Sequence, residues 1–422
     1  MNVFNEFKWR NLVYDATEGL QEAFATQKIT GYIGFDPSAS SLHAGNLLAI
    51  MGLVRLQRSG HTSIALAGGG TGLIGDPSGK TLERQMLSKE DVAFNLAGIK
   101  SQLSRFLDFK SVSNPAIMVN NADWLTTISL TDFLRDIGKH FSVNSMIAKE
   151  TVKRRLEGDG ISYTEFSYLL LQSYDYLKLY EKYNCTLQMG GSDQWGNITA
   201  GVELIRKIKG IRAHALVFPL LTTASGSKFG KSVSGAVWLD EKRTSPYRFY
   251  QFWMNSDDKD AVNYLKYFTL LSEAEIEELA ASLAAAPEKR EAQRALAREV
   301  TRLAHGENAL KKAEQASRVL FGGEIGDLEL ADLLDVFADV PSATLSKDLL
   351  GGAGANITDI LTASGLAPSK GEARRLVQGG GIYLNNRRVQ DIKQVVTIQD
   401  TIEGQAFVLR KGGKEYRLVN LA

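Results

Sequence analysis

The stretch ITGYIGFDPSASSLHAGNLLAIMGLVRLQRSGHTSIALAGGG, residues 29–70, decides the fold. Its opening run, Ile29–Phe35, carries no charge and reads as a buried strand; Asp36-Pro37-Ser38 stops it, since proline has no amide to give a ladder. Gly45 to Arg58 has helical apolar spacing, with Leu48, Met51, Val54 and Leu56 among its apolar positions. Thr62–Ala67 reads as the next strand, closed by Gly68-Gly69-Gly70. Strand, loop, helix, strand is a βαβ unit and predicts a parallel sheet. Ligands of such sheets bind at the carboxyl ends of the strands, where both Asp36 and the triple glycine fall.

Outward from this unit, residues from about 120 to 187 are mainly helical in pattern and read as an insertion between two halves of the sheet. Leu187–Gly191 returns as a strand, Asn197–Lys207 as a helix, and Val217–Leu221 leads into a Gly- and Ser-rich loop. The predicted class is α/β. A Rossmann-like parallel-sheet domain spans 1–234, an α-helical domain 235–321, a linker 322–355 and a small α+β domain 356–422.

The 422 residues suffice for two or three domains, and 44% hydrophobic with 23% charged content is ordinary for a soluble globular chain. Cys185 is the one cysteine, so neither an internal disulfide nor a cysteine zinc site can form, which fits a cytoplasmic protein. Met1 to Phe24 holds four acidic residues and no continuous apolar core, so it reads as neither a secretory signal nor a transit peptide. No apolar run approaches the ~20 residues that span a bilayer, so no membrane partner is expected. Net charge is +1, but Ile357 to Ala422 carries ten Lys/Arg against six Asp/Glu, a local hint of nucleic-acid contact.

Three short segments stand out. In His43-Ala44-Gly45-Asn46, His43 and Asn46 sit three apart at a helix start and share a side, where backbone N–H groups and the helix dipole favour a phosphate. Alone, the tetrapeptide reads better as an ordinary capped helix. In Lys228-Phe229-Gly230-Lys231-Ser232, two ammonium groups bracket Gly230 and suit charge developing on a departing pyrophosphate; alone, it reads better as a solvated basic turn. In Gly190-Gly191-Ser192-Asp193-Gln194, the Asp193 carboxylate can accept from a ribose diol or cap the helix that follows.

The helix Thr164–Lys178 places Tyr168, Gln172 and Asp175 at i, i+4 and i+7, within an arc of about 60°. Apolar residues cover its other faces, so this polar stripe needs partners. Tyr32 and Asp76 are available to complete a pocket. A ligand pocket and a self-satisfied internal network are equally compatible with the stripe alone.

Together these segments resemble class I aminoacyl-tRNA synthetases, and nearly the whole chain resembles the bacterial-type tyrosyl-tRNA synthetases. The resembling stretches are GYIGFDPSASSLHAGN (31–46), TGLIGDPSGK (71–80), FLRDIGKHFSVNSMIAKE (133–150), TEFSYLLLQSYDY (164–176), GGSDQWGNIT (190–199), KFGKS (228–232) and GAVWLDEKRTSPYRFYQFW (235–253). The resemblance implies that Tyr32 and Asp175 hold a substrate phenol, that Asp76, Tyr168 and Gln172 hold its ammonium group, and that Gln188 and Gln194 line the pocket near its carboxylate. It implies that Asp36 lies beside the reacting groups, that Gly34, Gly191 and Asp193 contact the nucleoside of ATP, and that Ser38, His43 and Asn46 face its phosphates. Lys80, Arg84, Lys228, Lys231 and Ser232 would clasp the pyrophosphate. Mg²⁺ would arrive with ATP, with no metal or organic cofactor held by the protein itself. The partners implied are L-tyrosine, ATP, tRNA(Tyr) and a second copy of the chain, with the insertion near 120–160 at the interface. The 235–321 domain would lie on the anticodon side, and residues 356–422 resemble an S4-like RNA-binding domain in which Lys370, Arg374 and Arg375 contact phosphates.

One departure is Asn46, where the family usually has a second histidine. Two other readings stay open at the level of sequence. A tryptophan-specific relative shares the nucleotide segments, although the Tyr168/Gln172/Asp175 stripe with Tyr32 speaks against it. A non-catalytic RNA-binding protein on a synthetase scaffold is kept open by Asn46.

Overall fold

The computed structural model describes residues 2–78, 86–158, 160–224, 229–232, 235–319, 323, 325, 328–338, 340–413 and 415–422, with the backbone alone at Lys231 and Ser232. Two compact units emerge from the contacts, one of residues 1–243 and 253–304, the other of 244–252 and 305–422.

The first unit is built on a six-stranded sheet of β1 (Asp15–Ala16), β2 (Thr30–Phe35), β3 (Thr62–Ala67), β4 (Ile117–Asn120), β5 (Leu187–Gly191) and β6 (His214–Phe218), in the order β1-β6-β5-β2-β3-β4. β2 to β6 run parallel and β1 closes the edge antiparallel to β6. β3 and β6 are buried along nearly their whole length, as expected where helices cover both faces of a parallel sheet. The helix Leu47–Arg58 joins β2 to β3, Lys89–Phe106 joins β3 to β4, and Trp195–Lys209 joins β5 to β6.

The chain leaves β2 in one direction through β3 and β4, then returns to the other side of β2 as β5. That reversal is the switch point at which doubly wound sheets bind ligands. The pairing shows the crevice directly. β2 pairs with β3 over six positions but with β5 over only Gly31–Leu187 and Tyr32–Gln188. Beyond Tyr32 the two strands part, and Gly34 is the one exposed position of β2.

Between β4 and β5 lie the helices expected of the insertion, ending in Tyr163–Tyr183, which runs further in both directions than the sequence pattern indicated. Its buried face joins Tyr32, Ile64, Leu66, Val119 and Trp124 in one core. Two arginines brace the same unit elsewhere. The Arg10 guanidinium donates to the carbonyls of Lys266 (3.0 Å) and Leu271 (2.7 Å). Arg55 donates to those of Tyr267 and Thr269, both at 2.9 Å. Lys266 and Tyr267 lie in the last turn of the helix Asp258–Phe268, where carbonyls lack an intrahelical partner, and Thr269 and Leu271 follow closely on it. Burial, then the neighbouring Arg10, pulls the Arg55 pKa down to about 9.

The second unit holds a five-stranded sheet whose strands, in order, are Arg387–Arg388, Ile382–Leu384, Ala406–Lys411, Glu415–Leu421 and Ser342–Leu345. Asn385 and Asn386, both at positive φ, make the tight turn between the first two. The reading of 322–355 as a linker needs correction. That stretch contains the helix Leu330–Val336 and the edge strand Ser342–Leu345, which pairs parallel with Glu415–Leu421. Leu333, Val336 and Phe337 are buried against Val408, Tyr416 and Leu418, and the acidic, broken pattern of the segment hid these few apolar anchors.

Candidate active site

Strand β2 carries Tyr32 to the floor of the crevice. Its ring is buried, and among the described residues its hydroxyl has no hydrogen-bond partner. Gln188 is its register neighbour on β5, buried with Oε1 in the same condition. Burial first, and the nearby Asp175 charge second, hold the Tyr32 phenol well above its ordinary pKa.

The helix Tyr163–Tyr183, capped by Ser162 on the amide of Glu165, brings its polar stripe to this floor. Asp175 is buried and accepts from Trp124 Nε1 at 2.7 Å and Asn121 Nδ2 at 2.9 Å. Burial outweighs those two donors and pushes the carboxyl up to about 8. Asn121 also donates to Thr71 Oγ1 (2.8 Å), Thr71 to Asp36 Oδ1 (2.7 Å), and the Tyr168 hydroxyl to Asp36 Oδ2 (2.8 Å). Gly68 is required beneath this chain, because an added Cβ would lie 2.1 Å from Asp36 Oδ1.

A second network forms the other wall. Gln194 Nε2 donates to Asp76 Oδ2 at 2.7 Å, and the Ser78 amide to Asp76 Oδ1 at 3.0 Å. Asn197 Nδ2 bonds Gln172 Oε1 at 3.0 Å. Asp36, Asp76 and Asp175 all act on the Tyr168 phenol, which burial above all raises far past its usual value. Three converging carboxyl groups suit a cationic substrate group, and an orphaned buried hydroxyl suits a polar one.

Of the residues expected to meet ATP, Gly34, Gly191 and Asp193 lie at or beyond the parting of β2 and β5, and Ser38 is exposed just past β2. His43 and Asn46 form a reciprocal cap. His43 Nδ1 accepts from the Gly45 amide and Asn46 Oδ1 from the His43 amide, both at 3.0 Å. The capped-helix reading is thus correct as far as it goes. With Nδ1 accepting, the neutral ring carries its proton on Nε2, and Asn46 retains its amide NH₂ as donor.

KFGKS meets HAGN in space. Ala44 N donates to Val237 O (2.8 Å), Leu239 N to Leu42 O (2.9 Å), and Val237 N to Gly230 O (3.0 Å). Gly230 stands at φ 85°, and a Cβ there would come 2.9 Å from the Gly45 nitrogen. Lys80, Arg84 and Lys228 lie outside the described residues, as do the side chains of Lys231 and Ser232. In the second unit, Lys370, Arg374 and Arg375 are exposed on a helix that buries Ala373 and Val377; Lys370 meets Asp359 at 2.5 Å and Arg375 meets Glu372 at 3.6 Å.

Asn121, Trp124, Thr71 and Asn197 escaped the sequence reading. The available signal was Asn121-Ala122-Asp123-Trp124 following directly on Asn120, the last residue of β4, with polar residues at a strand's carboxyl end.

A Rossmann-like sheet with HAGN and KFGKS joined beside its switch point defines a class I aminoacyl-tRNA synthetase. The comparisons agree. The family described as tRNA synthetases class I (W and Y) matches residues 25–322, and the tyrosine–tRNA ligase SYY-like C-terminal domain matches 332–419. The tyrosine–tRNA ligase of Roseiflexus castenholzii is 57% identical over 420 residues, 99% of each chain, and that of Geobacillus stearothermophilus 52% over the full length of both. A C-terminally truncated mitochondrial tyrosyl-tRNA synthetase of Aspergillus nidulans superposes with TM-score 0.69 at 30% identity, covering 76% of this chain and 94% of its own. A tryptophanyl-tRNA synthetase of Encephalitozoon cuniculi, at TM-score 0.52 and 13% identity, shares the fold alone. The chain belongs to the tyrosine–tRNA ligase family.

Proposed function

We propose that this chain activates L-tyrosine with ATP and transfers the tyrosyl group to the 3′ end of tRNA(Tyr). The observation that carries the amino-acid choice is the buried Tyr32 hydroxyl, partnerless among the described residues, beside the buried Asp175. A tyrosine phenol satisfies both, whereas phenylalanine leaves them unpaired. Tyrosyl-tRNA synthetases are themselves the standard example of this discrimination, in which a site built to bond a hydroxyl rejects the analogue that lacks it.

Asp76 and the stripe residues Tyr168 and Gln172 receive the ammonium group, and Gln188 and Gln194 flank the carboxylate. A carboxylate oxygen attacks the α-phosphorus of ATP in line; the new O–P bond forms as the P–O bond to pyrophosphate breaks. Gly34, Gly191 and Asp193 seat the nucleoside, with Asp36 beside the reacting groups. Ser38, His43 and Asn46 meet the phosphates, and Lys80, Arg84, Lys228, Lys231 and Ser232 take the charge of the leaving group. A ribose hydroxyl of the tRNA terminus then attacks the tyrosyl carbonyl, and AMP departs. Neither step needs a protein nucleophile; both depend on positioning and charge stabilisation. Mg²⁺ arrives with ATP and offsets phosphate charge.

Lys370, Arg374 and Arg375 supply tRNA phosphate contacts from the second unit, whose 356–422 portion acts as an S4-like module. The chain works as a cytoplasmic homodimer. Leu130, Leu134, Val143, Ile147, Leu156 and Tyr163, all exposed along the insertion, support a second copy as the cover for this apolar surface. Amino-acid-dependent pyrophosphate exchange tests the reading; exchange with tryptophan in place of tyrosine would refute it.

A further inference from the structure

We propose that Phe229 is a positioning residue, holding Lys231 in register with the HAGN turn through an aromatic socket of Trp253, Tyr264 and Phe268. The inference rests on the reading of Lys231 as a pyrophosphate ligand.

Ser225 to Gly235 is rich in glycine and serine, and Phe229 is its one large ring. The ring is buried. It stacks on Phe268 with centroids 5.3 Å apart and planes at 12°, with Tyr264 at 5.0 Å and Trp253 at 5.7 Å. The socket is packed in its own right, since Trp253 lies 5.0 Å and Tyr264 5.9 Å from Phe268. Such ring pairs attract one another beyond what their burial alone gives.

The next residue fixes the direction of the chain. Gly230 turns against the Gly45 backbone, and its carbonyl accepts from Val237, whose own carbonyl accepts from Ala44. Ring and turn together set the course of the backbone into Lys231. The far side of the socket is tied to the same motif. Phe268 ends the helix Asp258–Phe268, and Arg55 grips the carbonyls of Tyr267 and Thr269. Arg55 belongs to the helix Leu47–Arg58, which starts directly after HAGN. HAGN, its helix, Arg55, the helix Asp258–Phe268 and Phe229 therefore close a ring of rigid parts around the two phosphate motifs. A misplacement of about 1 Å in such a group can cost on the order of 100-fold in rate.

A ring that merely stabilised the fold would act independently of Lys231. The test is a double-mutant cycle in full-length protein, read by tyrosine-dependent ATP–pyrophosphate exchange, with Phe229→Ala, Phe229→Leu, Lys231→Ala and the combined variants. Phe229→Ala is expected to lower kcat on the order of 100-fold with the KM for tyrosine unchanged, and Phe229→Leu to recover most of the loss. In the Lys231→Ala background, Phe229→Ala should cost less than about threefold more, because the ring acts through that lysine. The same loss in both backgrounds, or a rise in tyrosine KM matching the fall in kcat, overturns the inference. Should Phe229→Ala not fold, Phe229→Leu runs the same cycle with a smaller expected loss. Lys231→Ala at full activity would sink the lysine assignment itself and this inference with it, a result separate from simple additivity.

Discussion

At the residue scale, Asp175, proposed here to hold the substrate phenol, sits where burial of its carboxyl opposes stability. Its carboxyl is buried, with Trp124 and Asn121 as donors, and burial sets its pKa near 8 against an ordinary 3.8. Between those two pH values the folded chain holds a proton that the unfolded chain has lost, so rising pH removes stability across that window and no further above it. Asp175→Asn removes the titration. The variant should therefore gain in melting temperature relative to the parent as pH rises from 5 to 8, while losing tyrosine activation; equal slopes for the two proteins would contradict the assignment. Gly230→Ala fails for a different reason, a positive φ combined with a 2.9 Å approach to the Gly45 amide, and should cut adenylate formation more than it lowers thermal stability. The stripe of Tyr168, Gln172 and Asp175 was legible because 3.6-residue spacing places like groups together. Asn121, Trp124 and Thr71 were not, because contacts across 50 or more residues leave no periodic trace.

At the scale of elements, β2, the helix after it and β3 were legible because charge-free runs, a Pro stop and a glycine close leave little choice. β1 was not, being two residues long, and the helix Leu330–Val336 was masked by its acids. The helix Tyr163–Tyr183 depends on a pair that the sequence did not reveal. Arg155 and Glu165 are both buried and meet at 2.7 Å, and Arg155 Nε also donates to Gly160 O at 3.0 Å. Arg155→Met strands a buried carboxylate and should cost about 3–5 kcal/mol in urea unfolding. Restoring apolar packing with Arg155→Met/Glu165→Leu should return most of it. A loss under about 1 kcal/mol for the single variant would show that the pair is incidental.

For the whole molecule, the two units revise where the chain can be cut. A deletion from Ile357 removes Val408, Tyr416 and Leu418 and strips the cover from Val319, Leu333 and Phe337. The shortened chain should retain tyrosine-dependent pyrophosphate exchange, charge tRNA poorly and aggregate more readily, as assayed by exchange, aminoacylation and light scattering; full charging would remove the tRNA role from the second unit. The exposed apolar side chains from Leu130 to Tyr163 predict sedimentation at twice the mass of one chain, and Leu134→Glu with Val143→Glu should shift it toward one. Neither result bears on specificity as directly as ATP–pyrophosphate exchange on the purified full-length chain, with tyrosine, tryptophan and phenylalanine each supplied alone. The account predicts exchange with tyrosine and background rates with the other two. Exchange with tryptophan, or none with any of the three from folded protein, would contradict it.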